Sequence, residues 1–290
     1  MLLHAPAKLN LCLYLGRARE DGLHELCSLF EPLALADLLA VSEAERDEVI
    51  CPEVEGENLA ARALAKLREA GWRRPPLRIE IEKRTPVAAG LGGGSADAAA
   101  VLRLARGQLG ELGRIAAELG ADVPSQLVPS LALVQGAGER VEPLPRPAAH
   151  AALLLPDGGG LGTAAVFAEA DRLGLGRGAE ELAALVRRLR DVAGSGASPL
   201  SYPELLVNDL EPAARSLRPA IGEALAELRR AGAPVAVLSG SGPTAVGLFP
   251  DLRAARAAAE RLDREDAIVC EAGSAPGDGE GTALAEGGAA

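Results

Sequence analysis

The residues best able to do chemistry fall in three places along the chain. The stretch Pro86-Val87-Ala88-Ala89-Gly90-Leu91-Gly92-Gly93-Gly94-Ser95-Ala96-Asp97 packs four glycines into five positions, between a β-like run and a strongly helical one. Without a Cβ the backbone can take φ > 0 and approach a ligand closely. The helix after the glycines offers unsatisfied N–H groups and the positive end of its dipole. That combination suits an anion, above all the phosphates of a nucleotide. The second place is Ala5–Leu15, where Leu9, Leu11, Leu13 and Leu15 alternate strictly, the period of a half-buried strand. Lys8, Asn10, Cys12 and Tyr14 then share the opposite face, where an ammonium and an amide could hold a hydroxyl or a phosphate. A merely solvated strand face has the same spacing. The third is Asp122 in Ala121-Asp122-Val123-Pro124; an aspartate before X-Pro serves local turn hydrogen bonding as readily as proton transfer. His24, beside the turn Glu20-Asp21-Gly22, is open to the same two readings.

Of two common phosphate loops, one is excluded and the other matched only loosely. Walker A requires Gly-Lys before Ser or Thr, and the chain has no Gly-Lys pair. In the dinucleotide pattern GxGxxG, Gly90-Leu91-Gly92 fits, but Ser95 stands where the third glycine belongs, and a second helix replaces the expected strand with its acidic end.

A mixed set of elements must position these groups. Residues 58–70 form an amphipathic helix (Leu59, Ala63, Leu64, Leu67) stopped by Gly71. Leu77–Arg84 alternates as the strand leading into the glycine loop. Helices come next at 96–106, which Ser95 or Asp97 can cap, and at 109–119, closed by Gly120. A second apolar segment covers 28–35, and a short strand 131–135 precedes the turn 136–139. Pro143, Pro145 and Pro147 make a hinge and a domain boundary. Beyond it, 151–155 reads as a buried strand and 157–162 as another glycine loop. Helices are expected at 179–190, 219–231 and 251–264, with strands at 233–238 and 244–249 around Ser239-Gly240-Ser241-Gly242-Pro243, and at 267–270. From 274 the composition predicts a disordered tail. The mixture implies α/β or α+β in two domains.

Composition narrows the partners. The chain has 290 residues, of which 48% are hydrophobic but only 2% aromatic, so the core must come from Ala, Leu and Val. A net charge of −11 argues against nucleic acid and anionic membrane as partners. Among the basic residues only Lys8, Lys66 and Lys83 are lysines, so a lysine in a polar cleft merits notice. Cys12, Cys27, Cys51 and Cys270 show no CxxC pairing, which disfavours zinc and fits a reducing, cytoplasmic setting. No signal-like start and no spanning apolar run is present.

The glycine stretch, Pro86-x-x-x-Gly90-Leu91-Gly92-Gly93-Gly94-Ser95-Ala96, resembles the phosphate loop of the GHMP kinases, small-molecule kinases named for the galactose, homoserine, mevalonate and phosphomevalonate enzymes. Ala5-Pro6-Ala7-Lys8-Leu9-Asn10-Leu11 and Leu238-Ser239-Gly240-Ser241-Gly242-Pro243-Thr244 resemble the same family's other motifs, in the right order. Asp21-Gly22-Leu23-His24-Glu25-Leu26, Leu119-Gly120-Ala121-Asp122-Val123-Pro124 and Val207-Asn208-Asp209-Leu210-Glu211 are similar to the branch acting on a cytidine diphosphate-linked methylerythritol in isoprenoid precursor formation. The resemblance covers residues 5 to about 272.

It implies an α+β, two-domain fold: a ribosomal-protein-like β/α domain over 1–147 and a ferredoxin-like domain over 148–273, with 274–290 as tail. It implies transfer of the γ-phosphoryl of ATP, with Mg²⁺, to the 2-hydroxyl of a small-molecule substrate, by positioning and charge stabilisation. Asp122 is then the general base, and Lys8 pairs with it and stabilises the transferring group. Pro86–Ala96 binds the ATP phosphates, and Ser95 is a candidate Mg²⁺ contact. Asn10 and Thr163 would hold the erythritol hydroxyls, His24 would read the cytosine edge, and Phe167 would stack on the base. The alternatives are a homoserine- or mevalonate-type kinase, against which the Asp21–Leu26 turn speaks, and a catalytically inactive nucleotide-binding protein, against which Lys8 and Asp122 together speak. Three departures bear on substrate affinity. Leu23 stands where relatives carry a stacking tyrosine, Pro124–Ser130 lacks an expected aromatic and glycine pair, and the connection at 106–109 is short.

Overall fold

The computed structural model describes residues 1–54 and 56–276. Two long antiparallel strands, β1 (Leu2–Ala18) and β2 (His24–Glu43), form its spine. The first half of β2 pairs with β5 (Ala132–Gly136) and the second half with β4 (Leu77–Glu82). Between them Leu33 meets Ala272 of β10 (Ile268–Ala272). β3 (Glu48–Ile50) lies parallel to β4, and β6 (Arg140–Pro143) pairs with β5. Helices α1 (Leu59–Glu69), α2 (Gly93–Arg103), α3 (Leu112–Leu119) and α4 (Val123–Gln126) complete the N-terminal half.

In the C-terminal half, β7 (His150–Leu155), β8 (Val235–Leu238), β9 (Ala245–Phe249) and β10 stand in the antiparallel order β10-β7-β9-β8. Around them lie α5 (Thr163–Leu173), α6 (Ala179–Gly194), α7 (Glu211–Leu217), α8 (Ala220–Arg230) and α9 (Leu252–Ala259). Strand order and connectivity are those of a ferredoxin-like sheet. The α+β, two-domain expectation holds. The tail expected from 274 lies, from residue 277 onward, outside the described residues.

β1 supplies side chains to three apolar clusters: Leu3 and Ala5 join α1 and α2, Leu9 and Leu11 join the centre, and Leu13 and Leu15 join the C-terminal half. The reading of Lys8, Asn10, Cys12 and Tyr14 as one solvated face is overturned twice. All four are buried. They also do not share a face, because the pairing register slips between Pro6 and Lys8 and again between Asn10 and Cys12. A bulge adds a residue and reverses the facing of the strand beyond it. Cys12 and Tyr14 therefore pack with Leu9 and Leu11, while Leu13 lines the same cavity as Lys8 and Asn10.

Other differences have local causes. β2 extends well beyond 28–35, because its buried Glu31 and Asp37 interrupt the apolar pattern while remaining inside. α5, to whose residues the sequence reading assigned no element, buries only Val166 and Ala170, too weak a stripe to show a helical period. α2 begins at Gly93 rather than 96, behind Gly92 at φ +69°. Neither Ser95 nor Asp97 caps it, since Gly92 occupies the cap position with no side-chain hydrogen bond.

Candidate active site

Lys8 brings the site together. Its ammonium lies 3.2 Å from Asp122 Oδ2, donates to Asn10 Oδ1 at 2.7 Å, and sits 4.6 Å from the ring centre of Phe30. A buried ammonium is costly unless paired and hydrogen-bonded, and these three contacts answer that cost. Asn10 is fixed in turn, donating from Nδ2 to Ser28 Oγ at 2.9 Å. Asp122 reaches Lys8 from the first position before α4, where its carboxylate keeps partial access to solvent, with 31% of the side chain exposed. The bland alternative of a local turn residue fails in detail: Ser125 Oγ uses the carbonyl of Asp122, and its carboxylate caps nothing.

The pair lines the larger of two cavities that adjoin across the glycine loop. The larger, about 720 Å³, is lined by Lys8, Asn10, Asp122, Leu23, His24, Thr163 and Phe167, among others. The smaller, about 310 Å³, is lined by Pro86 through Ser95, Asp97, Lys83, Val54 and the run Glu57-Asn58-Leu59. Gly90 and Gly92 border both. A Cβ on Gly92 would stand 2.9 Å from the Lys8 side chain, and one on Gly90 would stand 2.7 Å from the carbonyls of Ser239 and Gly242. Only glycine lets this partition be one backbone thick. Ala96 belongs elsewhere: it is fully buried in the apolar cluster behind the loop and lines neither cavity.

The glycine loop ends as a helix start should for anion binding. Ala96 N–H donates the first intrahelical bond to Gly92 at 2.9 Å, leaving the N–H groups of Gly93, Gly94 and Ser95 ahead of it. Behind them, Lys83 Nζ donates to Asp97 Oδ2 at 2.8 Å and also to Asp37. Asp37 further accepts from the N–H groups of Arg84 and Thr85 at 2.6 and 2.7 Å, tying the strand end beneath the loop. Burial, with the like charge of Asp37, pushes the Asp97 carboxyl up to about 7 against the pull of Lys83.

α5 forms one wall of the larger cavity. Thr163, Ala164, Phe167, Ala168 and Asp171 all line it, a single helical face. Thr163 Oγ1 lies 3.0 Å from Ser241 Oγ. The rings of His24 and Phe167 are tilted at 5.2 Å, and His24 Nε2 lies 2.8 Å from Asp171 Oδ1. Leu23 is 53% exposed at the cavity mouth. Sequence reasoning missed Phe30, Asp171, Lys83 and the wall made by Val54 and Glu57-Asn58-Leu59. Asp171 could have been found had 163–173 been read as a helix, since it lies one turn past Phe167. Phe30 carried no local signal.

A phosphate loop at a helix start, a buried lysine–carboxylate pair and a ferredoxin-like second half together describe a small-molecule kinase of the GHMP class. Residues 58–129 match the model for the GHMP kinases N terminal domain, and 167–268 match that for the GHMP kinases C terminal. The chain is similar to the 4-diphosphocytidyl-2-C-methyl-D-erythritol kinase of Anaeromyxobacter dehalogenans (strain 2CP-C), 42% identical over 88% of this chain and 82% of that one. It is similar to the protein of the same name from Streptomyces avermitilis, 38% identical over 89% and 90%. A crystal structure of 4-(cytidine 5'-diphospho)-2C-methyl-D-erythritol kinase superposes with a TM-score of 0.79 at 35% identity, covering 94% of this chain and 100% of that one. Homoserine kinase from Cytophaga hutchinsonii shares the fold, with a TM-score of 0.64 at 19% identity over 96% and 94%. The chain belongs to the GHMP kinase family, and within it to the 4-diphosphocytidyl-2-C-methyl-D-erythritol kinases. Among the described residues, no helix is long and apolar enough to cross a membrane.

Proposed function

We propose that the protein transfers the γ-phosphoryl of ATP to the 2-hydroxyl of 4-diphosphocytidyl-2-C-methyl-D-erythritol, in the cytoplasm, as a step in isoprenoid precursor formation. The observation that carries the reading is the Lys8–Asp122 pair at 3.2 Å, lining the larger cavity with Lys8 packed against Gly92, which borders the smaller one as well. A nucleotide on one side and an alcohol on the other would present their reacting atoms to the same two side chains.

In this reading ATP occupies the smaller cavity, with its phosphates on the N–H groups of Gly93, Gly94 and Ser95. The fit is physical: the loop can lie against Ser239, Gly242, Lys8 and Thr85 only because Gly90, Gly92 and Gly93 lack a Cβ, and the helix start favours negative charge. Mg²⁺ would be held by the phosphates and by the Ser95 hydroxyl, which lines that cavity and occupies no cap; it supplies neutralisation of phosphate charge. The substrate hydroxyl donates its proton to Asp122 as the bond to phosphorus forms. Lys8, fixed by Asn10, balances charge on the group in flight. Asn10 and Thr163 hold the polyol, His24 reads the base edge, and Phe167 with Leu23 flanks the base. The same reading divides the chain into domains at 147/148, between the two matched family segments and before β7.

The test is a substrate panel with purified protein, ATP and Mg²⁺, monitoring ADP release and identifying the product by mass. Turnover is expected on the cytidyl methylerythritol and not on homoserine or mevalonate. Turnover confined to either of the latter would overturn the assignment.

A further inference from the structure

The segment Val207-Asn208-Asp209 lines up with no reacting group, yet it is built into the catalytic strand. Leu13 N–H donates to Val207 O and Asp209 N–H donates to Leu13 O, both at 2.8 Å. The Asp209 carboxylate accepts from Leu15 N–H at 3.0 Å and, side-on, from Nε and Nη2 of the Arg177 guanidinium at 2.5 and 2.7 Å. Asn208 is buried between them. Its Nδ2 donates to the carbonyls of Leu238 and Gly240 at 2.8 and 2.7 Å, and its Oδ1 accepts from Leu210 N–H at 2.9 Å. The amide therefore has a partner for each of its two donors and for its acceptor.

The loop that Asn208 holds closes over the catalytic lysine. Gly240 lies at φ +59°, and a Cβ there would stand 3.1 Å from Asn10 Oδ1 and 3.8 Å from Lys8 Nζ. One residue earlier, Ser239 Oγ accepts from Asn10 N–H at 3.2 Å and donates to Gly90 O at 3.0 Å. Gly240 and Ser241 both line the larger cavity. One amide thus fixes the loop that bounds Lys8, Asn10 and the phosphate loop at once.

We propose that Asn208 is a positioning residue for phosphoryl transfer: by holding the carbonyls of Leu238 and Gly240, it sets the 239–242 loop against Asn10 and so aims the Lys8 ammonium. The proposal rests on the reading of Lys8 and Asp122 as the reacting pair. It predicts a loss in kcat rather than in ATP binding, because the N–H groups of Gly93–Ser95 are held by α2 and not by this loop. Displacing catalytic groups by an ångström costs on the order of a hundred-fold in rate.

The experiment measures kcat and both KM values for Asn208→Ala and Asn208→Asp, with circular dichroism and thermal melts on each. Asn208→Asp keeps the size and the acceptor for Leu210 N–H but removes both donors, and it carries the test if the alanine variant does not accumulate folded. Expected are native spectra below the melt, kcat lowered about ten- to a hundred-fold, and KM for ATP within about three-fold. Combined with Ser239→Ala, Asn208→Ala should cost no more than the larger single loss, since both act through one loop. Folded variants with wild-type kcat and only a lowered melting temperature would overturn the proposal, as would losses that multiply in the double variant. A wild-type protein without turnover on the cytidyl substrate would instead overturn the functional reading beneath it.

Discussion

Leu23 is where the proposed substrate site departs from the pattern that the motifs of this chain resemble. It lies exposed at the mouth of the larger cavity, beside the tilted His24–Phe167 pair. Leucine offers apolar area but no π face, and a stacked aromatic contributes about 1–3 kcal/mol per base. Leu23→Tyr should lower KM for the cytidyl substrate about five-fold or more, with KM for ATP unchanged, by steady-state kinetics. An unchanged KM would mean that Phe167 and His24 already hold the base. Gly92 gives a sharper case, because it combines φ +69° with a Cβ position 2.9 Å from the Lys8 side chain. Gly92→Ala should cost about 1–2 kcal/mol from the left-handed backbone, and should lower kcat further by displacing Lys8. Chemical denaturation and kinetics separate the two effects; a variant of lowered stability but full kcat would show that Lys8 tolerates the added methyl.

At the scale of elements, motif spacing was legible and facing was not. The helix at 58–70 and the strand at 77–84 emerge almost as expected because their periods are uninterrupted and Asn58 and Gly71 bound the helix. β1 misled because two of its three register shifts lie on either side of Lys8 and Asn10, and a bulge leaves no mark in an alternating leucine pattern. The same disruption aims those side chains into the cavity. α2 shows a different limit: two glycines in its first turn argue against helix on propensity, while the phosphate cradle requires them there.

Asp97, read as a candidate cap, is a buried partner of Lys83. Its raised carboxyl gives a pH prediction. The folded state holds that proton up to about pH 7, whereas an unfolded aspartate loses it near 4. Stability from this group therefore falls as pH rises between those values. Asp97→Asn, which has no proton to lose, should melt near wild type at pH 5 and a few °C above it at pH 8. A constant difference across that range would contradict the coupling.

Over the whole molecule, the proline hinge at 143–147 separates two sequence segments that do not make two independent bodies. β10, last in the chain, pairs with both β2 and β7. The central cluster mixes Leu9, Leu29 and Leu33 with Leu154, Val246 and Leu248. The side chains of His150 and Glu31, fully buried, meet at 3.1 Å across the same junction. None of this long-range pairing has a local signature, so the core that the two halves share was not legible in the sequence. Calorimetry should accordingly show one unfolding transition. Leu154→Ala should lower it as a unit, at a cost of about 2–5 kcal/mol; two separated transitions would contradict a common core.

The central claim is that Asp122, paired with Lys8 in the larger cavity, takes the proton of the attacking hydroxyl. Asp122→Asn keeps the shape and removes the base. The deciding measurement is its single-turnover rate of phosphoryl transfer with saturating ATP and substrate, alongside ATP affinity by calorimetry. The account predicts a rate lowered by about 10²–10⁴-fold, with ATP affinity within about three-fold of wild type. Transfer at a rate close to wild type would contradict it.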